Sequence, residues 1–374
     1  TSQSCVVLAW HTHPMSLAHD AVTLHIAVFL PAGLFCLQRL CKSSWRRLQS
    51  PDVWYVAFRA GMRFASCDMG RSGMQHLVAR LPAEIQQLEL RFRWCSIGSD
   101  GASVLAQRLP SCLTNLQLTF RGCGIGTLGL KALAEALPGS LQKLHLSMRG
   151  CPVGGEGAGA VARRLPRRLT ELCLDFRDCR LPATGVRSLA QNLPAKLQDL
   201  RLQLGGCDLH AADACMVMSQ LPSGLAALQL GFEGCPLGST GAHAVAEGLP
   251  QGLKSLHLDL DWCNIQADGS FALARNFPPQ LERLHLGLGG CSVGRDGARA
   301  LAHGFQQLSV LQHLYADFAR CRITFVGARA LLQQLPVSLT SMLLDFRACG
   351  IDIEERQELR ELIPEHLNQT PVMF

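Results

Sequence analysis

The chain has 374 residues, of which 48% are hydrophobic and 17% charged, so it is long enough to bury a large core. Its formal net charge of +6 hides an asymmetry, because residues 1–180 carry a balance of +10 and residues 181–374 one of −4. Such a gradient can steer a charged partner but does not bear on fold. The 17 cysteines are odd in number and eleven of them recur at one position of a repeat, which argues against a disulfide framework and suits a reducing, cytoplasmic or nuclear setting.

Residues 1–19 are expected to form a solvated tail, disordered or left by a processed or truncated chain. From Ala21 to Gln38 there is no formally charged residue, and Lys42, Arg46 and Arg47 follow. That pattern meets the length of a membrane span and its cytoplasmic flank. Pro31 and Gly33 interrupt the run, however, and Thr23, His25 and Gln38 are polar. Split at Pro31, it becomes two short amphipathic helices, followed by a third segment carrying Trp45, Leu48, Val53, Trp54 and Phe58. A plain helical cap on whatever follows is a third reading, since an end repeat leaves a core face uncovered.

A cysteine then recurs every 28 residues from Cys67 to Cys291 and, after a two-residue insertion near Gln306, at Cys321 and Cys349. A fixed period of this length marks a solenoid, whose units bury their apolar faces only against one another. One unit reads from Leu169 to Pro194. Leu172, Leu174 and Phe176 alternate with Cys173, Asp175 and Arg177, as in a half-buried strand. Pro182 to Thr184 make a bend, and Val186, Leu189, Ala190 and Leu193 then follow at helical spacing up to Pro194. Repeated parallel crossovers predict an α/β solenoid with one parallel sheet, open on its concave side, and helices on the convex side. In-register strands put the cysteines about 4.8 Å apart. Parallel side chains do not aim their sulfurs at each other, so a ladder of buried thiols is expected. At the far end Glu354, Glu355, Glu358 and Glu361, with Arg356 and Arg360, predict a polar last helix that covers the final repeat. Residues 364–374 are read as a tail.

Candidate chemistry is sparse. Gly155-Glu-Gly157-Ala-Gly159 looks like a dinucleotide loop, but glycine six residues after the cysteine recurs in most units, and the repeat accounts for it. There is no P-loop, no G-x-S-x-G and no closely spaced zinc quartet in the sequence. No enzyme activity, cofactor or metal is expected. The outward column two residues before the cysteine holds Arg93, Arg121, Arg149 and Arg177, with Arg91 beside it. Like charges on adjacent strands repel, so this is either a solvated face or a seat for an acidic or phosphorylated segment. Further along, His257, Asp259, Asp261 and Trp262 neighbour His285, Tyr315 and Asp317. An ordinary polar concave face, or a contact patch anchored by Trp262 and Tyr315, is preferred there over a metal site. Arg163, Arg164, Arg167 and Arg168 suit a helix C-terminus, and without interleaved aromatics no nucleic-acid role is expected.

Two resemblances follow from these residues. Leu113, Leu116, Leu118, Cys123 and Ile125 resemble the leucine-rich-repeat signature L-x-x-L-x-L-x-x-N/C-x-L, and the 28-residue length is similar to its ribonuclease-inhibitor-like class. Two extra residues carrying Phe120 precede the cysteine, which predicts a strand one alternation longer than usual. The resemblance covers about residues 60–363, some eleven units. Residues 20–59 resemble an F-box: a helix ending at Leu30-Pro31, a leucine-rich segment from Leu34 to Leu40, then Cys41-Lys42, Trp45-Arg46-Arg47-Leu48 and Pro51-Asp52-Val53-Trp54. That family implies a substrate receptor of a Skp–cullin–F-box ubiquitin ligase. Leu24, Ile26, Leu30, Pro31, Leu34, Leu37 and Trp45 would then contact a Skp-type adaptor, and the repeats would hold a target. A ligase-independent scaffold or inhibitor, with or without a membrane tether at residues 21–38, is the alternative.

Overall fold

The structure, a computed structural model, describes residues 62–66, 68–367 and 370–374. It divides into two compact units, described here separately, that meet in sequence at Leu169 and Thr170. The first contains β1 (Met62–Ala65), α1 (Arg71–Val78), β2 (Gln87–Arg93), α2 (Gly98–Ala106), β3 (Asn115–Arg121), α3 (Thr127–Glu135), β4 (Lys143–Ser147) and α4 (Gly154–Arg164). The second opens with β5 (Glu171–Asp175), α5 (Ala183–Gln191), β6 (Asp199–Gln203), α6 (Ala211–Ser219), β7 (Ala227–Gly231) and α7 (Gly238–Glu247). It continues with β8 (Ser255–Asp259), α8 (Gln266–Asn276), β9 (Arg283–Gly287), α9 (Gly294–Gln306), β10 (His313–Asp317) and α10 (Thr324–Gln333). β11 (Ser341–Asp345), α11 (Ile353–Glu361) and β12 (Val372–Met373) complete it. Within each unit the strands pair in sequence order and in parallel, and equivalent residues of successive repeats face each other.

The alternating pattern decides which way each side chain points. In β3, Leu116, Leu118 and Phe120 are buried while Asn115, Gln117, Thr119 and Arg121 look outward. Register then turns single residues into columns. Phe64, Phe92 and Phe120 stack with centroids 4.9 and 5.4 Å apart, and Phe318 stacks on Phe346 at 5.9 Å. The expected longer strand occurs in β2 and β3, each of seven residues, whereas later strands are shorter. There the ladder persists as the chain bends: Phe176 N–H donates to the Gln203 carbonyl at 2.9 Å and Asp178 N–H to Gly205 at 3.0 Å.

The cysteine column does more than fill a slot. Several thiols donate to a main-chain carbonyl of the preceding repeat: Cys151 to Phe120 at 2.9 Å, Cys263 to Phe232 at 3.0 Å and Cys321 to Leu288 at 2.8 Å. The sulfur adds a second donor to such carbonyls, since the turn N–H groups of Cys235 and Cys291 already reach Phe232 and Leu288 at 2.9 and 3.1 Å. Burial pushes the Cys235 thiol up to about 11 and that of Cys321 to about 12, so both stay protonated donors. The first cysteine of the sequence column, Cys67, lies outside the described residues.

Recurring glycines have a packing cause. A Cβ on Gly129 would sit 2.8 Å from the Ser99 Cα, and one on Gly297 would sit 3.1 Å from the Ala267 Cα, so neighbouring helix backbones approach closely there. Hence Gly155-Glu-Gly157-Ala-Gly159 is the opening of α4 rather than a phosphate loop. The bend expected at Pro182 to Thr184 is tighter than the sequence suggested, since α5 begins at Ala183 with Pro182 as its extended N-cap. The insertion near Gln306 is absorbed by helix length. α9 has 13 residues, and Phe305 at its end stacks on Phe277 at 5.8 Å.

The polar last helix is α11, closed by a reciprocal cap in which Asp352 accepts from Glu355 N–H at 2.8 Å and Glu355 accepts from Asp352 N–H at 3.0 Å. The described residues of 364–374, read as a tail, are instead built into the second unit. β12 pairs with β11, and Phe374 packs against Phe346 at 5.9 Å, because the last strand otherwise leaves an open edge and an uncovered phenylalanine. Among the described residues no helix is long and apolar enough to cross a membrane.

Two outcomes are expected. Phe120→Ala, which empties a fully buried stacked position, should cost about 3–5 kcal/mol in urea unfolding. In mass-spectrometric mapping after brief alkylation at pH 8, the exposed Cys112 and Cys215 should be modified in the native protein, and Cys235, Cys263 and Cys321 only after denaturant is added.

Candidate interaction surface

The outward residues of the strands form the polar face of each unit. In the first unit, Arg91 is held by Glu89 at 2.7 Å. With its amide oxygen turned inward, Gln117 accepts from the same guanidinium at 3.0 and 3.1 Å. Arg93 faces Arg121 in register, Arg93 exposed and Arg121 half-buried, and Arg149 is half-buried too. The Arg121 guanidinium lies over the Trp94 ring, 5.9 Å from its centroid.

Trp94 is the unexpected member. It stands just before the cysteine, where the chain turns through φ of +56°, and it is 55% exposed. The same left-handed turn stands before the cysteine in other repeats, at Ser66, Asp178 and Ala348, so the repeat and not the tryptophan sets it. Its ring lies so close over the next repeat that a Cβ on Gly122 would be 2.2 Å from it. The second unit repeats the device. Trp262 has φ of +61°, is 55% exposed, covers Gly290 and carries Arg320 at 5.6 Å. An exposed aromatic laid flat over a glycine and topped by a guanidinium is a rigid contact group.

Arg177 does not behave as an open seat. Asp175 binds it through two hydrogen bonds of 2.9 Å, and that contact raises the guanidinium's pKa. Its charge is therefore committed within the second unit.

The sequence-predicted patch of the second unit is brought together on β8, β9 and β10. His257, His285 and Tyr315 occupy one column, with ring centroids 3.7 and 3.9 Å apart. The next two columns read Asp259, Gly287, Asp317 and Asp261, Gly289, Ala319. Carboxylates from both sides thus lean over a floor of glycine. A Cβ on Gly287 would meet the Asp261 and Asp259 oxygens at 3.0 and 3.2 Å, and one on Gly289 would meet Asp261 at 3.3 Å and Asp317 at 3.6 Å. Trp262 and Arg320 stand at the far edge of the basin.

Charge in this basin is unbalanced. Burial pushes the Asp261 carboxyl up to about 7, with Asp259, Asp317 and Glu233 adding to the shift and the Gly289 N–H, 2.7 Å from its Oδ1, opposing it. Burial likewise raises Asp259 and Asp317. It also lowers His257, and it lowers His285 to about 4, so the ring column is uncharged at neutral pH. Among the described residues no three His, Cys, Asp or Glu side chains are arranged to hold a metal ion.

Sequence reading singled out His257, Asp259, Trp262, His285 and Tyr315 but passed over Trp94. A tryptophan in a column otherwise rich in glycine, with glycine 28 residues later, was the available signal for Trp94. The adaptor candidates Leu24, Ile26, Leu30, Pro31, Leu34, Leu37 and Trp45 lie outside the described residues, as do the tail at 1–19 and the apolar run at 21–38.

A stability test follows from the raised carboxyl. The folded pKa of Asp261 lies above its ordinary 3.8, so the stability its protonated form contributes is complete below about pH 4 and is lost as pH rises through about 7. Asp261→Asn keeps the oxygen that accepts from Gly289 but removes the charge. Its urea midpoint should exceed the wild-type value by more at pH 8 than at pH 5. Taking the difference between the two proteins cancels the separate titration of His285.

Comparisons with known proteins agree with this architecture. A family profile described as Leucine Rich repeat matches residues 255–274, which run from β8 into α8. No curated protein matches the sequence significantly. Among solved structures, the yeast Rad7 and Elc1 complex contains a chain similar at TM-score 0.53 and 18% identity, covering 91% of this chain and 92% of that one. The leucine-rich repeat-containing protein LegL7 from Legionella pneumophila is similar at TM-score 0.47 and 15% identity, covering 80% of this chain and 97% of that one. With 108 solved chains matching, such likeness speaks to fold and not to task. The repeat period, the parallel ladder and the matched profile together show a leucine-rich-repeat fold.

Proposed function

We propose that this protein is a protein-interaction module acting as the substrate receptor of a Skp–cullin–F-box-type ubiquitin ligase. The interaction part rests above all on the polar sheet faces, each bearing an exposed tryptophan with a guanidinium over its ring. The ligase part rests on the F-box resemblance of residues 20–59 and on its position directly before leucine-rich repeats. A similar chain solved in the Rad7 and Elc1 complex supports the idea that such a fold works beside a second protein.

In this reading Leu24, Ile26, Leu30, Pro31, Leu34, Leu37 and Trp45 meet the Skp-type adaptor, and the repeats hold the target. The receptor performs no covalent chemistry and needs no cofactor. It raises the effective concentration of target lysines near the ubiquitin-charged enzyme. A reducing compartment, cytoplasm or nucleus, suits the thiol ladder. On the first unit, Arg93, Arg121 and Arg149 form the surface for an acidic or phosphorylated part of a target, with Trp94 beside them. The second reading, a ligase-independent scaffold, keeps the repeat surface and dispenses with the adaptor.

Pull-down with a Skp-type adaptor separates the two. The full chain should retain adaptor and a protein lacking residues 1–59 should not, and retention by the truncated form removes the ligase reading. Arg121→Glu with Arg149→Glu should weaken capture of an acidic or phosphorylated peptide several-fold while leaving the urea midpoint unchanged. Unaltered affinity at matched salt would return the column to a solvated role.

A further inference from the structure

The helical side of the second unit carries a groove between α8 and α9 that neither sheet face shares. We propose that it binds a small amphipathic carboxylate, its apolar body laid between the two helices and its acid group held by Arg275 and Arg299. This reading goes beyond the interaction role and does not depend on it.

The groove originates in the break of the repeat. The turn after each helix from α4 to α8 starts with proline, at Pro166, Pro194, Pro222, Pro250 and Pro278. After α9 the equivalent position is Gln306, and two residues are added before the next strand. α9 therefore continues to Gln306, whereas α8 stops at Asn276. Gln307 and Leu308, which follow it, line the C-terminal end of the groove together with Pro279.

Its dimensions suit a small molecule. The cavity measures about 600 Å³, within the usual range for ligand sites. Ala274, Ala300 and Gly304 form the floor, where the helices approach so closely that a Cβ on Gly304 would sit 2.8 Å from the Ala274 Cα. Phe271 makes a wall and is 41% exposed, and among the described residues no other phenylalanine is as open to solvent. The groove between α1 and α2 on the first unit is an internal control. Proline follows both of those helices, at Pro82 and Pro110. The groove there is smaller, about 370 Å³, with Gln75, Ser103 and Gln107 in its lining and no aromatic wall.

Charge decides what kind of apolar molecule fits. Arg275, Arg299 and His303 stand exposed on the rim, in a half of the chain whose formal balance is −4. Among the described residues no carboxylate pairs with Arg275, and Arg299 reaches Asp296 only at 4.0 Å. Asp296, the one acid of the lining, lies seven residues before His303, about 10 Å along the helix, and meets Arg295 at 3.5 Å. It therefore keeps the acid end of a ligand away from the start of α9 and toward Arg275. The C-terminal turns of both helices disfavour an anion, so the two guanidinium groups carry the recognition. Their forks match a carboxylate, and an apolar floor beside them strengthens the pairing by excluding water.

The test is equilibrium dialysis of the full chain against naphthaleneacetate, with naphthaleneethanol as the uncharged counterpart and hexa-glutamate as a purely acidic one. Wild type should bind one equivalent of naphthaleneacetate and prefer it to the alcohol by about tenfold. Arg275→Gln with Arg299→Gln should abolish that preference while leaving the alcohol's affinity and the urea midpoint unchanged. Ala300→Phe, which fills the groove from its half-buried floor, should lose both ligands. Arg71→Gln with Arg108→Gln removes the same charge from the α1–α2 groove and should change nothing. Four results would each overturn the assignment: failure of wild type to bind, equal losses in the two double variants, undiminished binding by Ala300→Phe, or tighter binding of hexa-glutamate than of naphthaleneacetate.

Discussion

Apart from the edge strands, every strand inside either unit is held by main-chain hydrogen bonds to the repeat before and the repeat after, and no repeat can bury its own leucines. Register is therefore the controlling constraint. Because Leu116 faces Leu144 and Gln117 faces His145, a residue type chosen at one position is automatically stacked on its counterpart 28 residues away. A slip of one residue in any strand would put its leucines on the polar face and its charges in the core. The phenylalanine and cysteine columns protect against such a slip, since ring stacking and thiol-to-carbonyl bonds are made in one register only. The same logic explains why the extra residues near Gln306 were accommodated in α9. A helix can lengthen by part of a turn without disturbing the ladder, whereas a strand cannot.

Regularity on the buried side leaves the outer side free to vary. The outward positions carry arginine, threonine, serine, histidine, aspartate and glycine in different repeats, because a residue there is constrained by its neighbours' charge and bulk rather than by the core. Two consequences are visible. Where like charges stack, the chain finds local partners, as Arg91 does with Glu89 and Arg177 with Asp175. Around Asp261, whose partner is the Gly289 N–H and not a cation, stability is given up. The exposed tryptophans Trp94 and Trp262 and the Asp259–Asp261–Asp317 group lie on these faces.

Period, strand alternation and helix spacing were all readable before any coordinates, because each depends only on which residues recur and at what interval. The thiol column was legible for the same reason. Its bond to the preceding repeat's carbonyl was not, since it depends on the turn that places a main-chain oxygen within reach of sulfur. The segment 364–374 was misread as a tail because two strand residues carry no periodic signal, and their role arises only from the open edge of β11.

For the surface, the sequence alone determined which side chains share a column. His257 with His285 follows from counting 28 residues, and Asp259 with Asp317 from counting 28 and then 30. Tertiary structure decided what those columns do. Counting cannot tell that Arg177 is already occupied by Asp175 or that the glycines of β9 make a floor. These facts depend on side-chain direction and on distances across three strands. Those are set when the sheet forms, not by the order of residues within any one repeat.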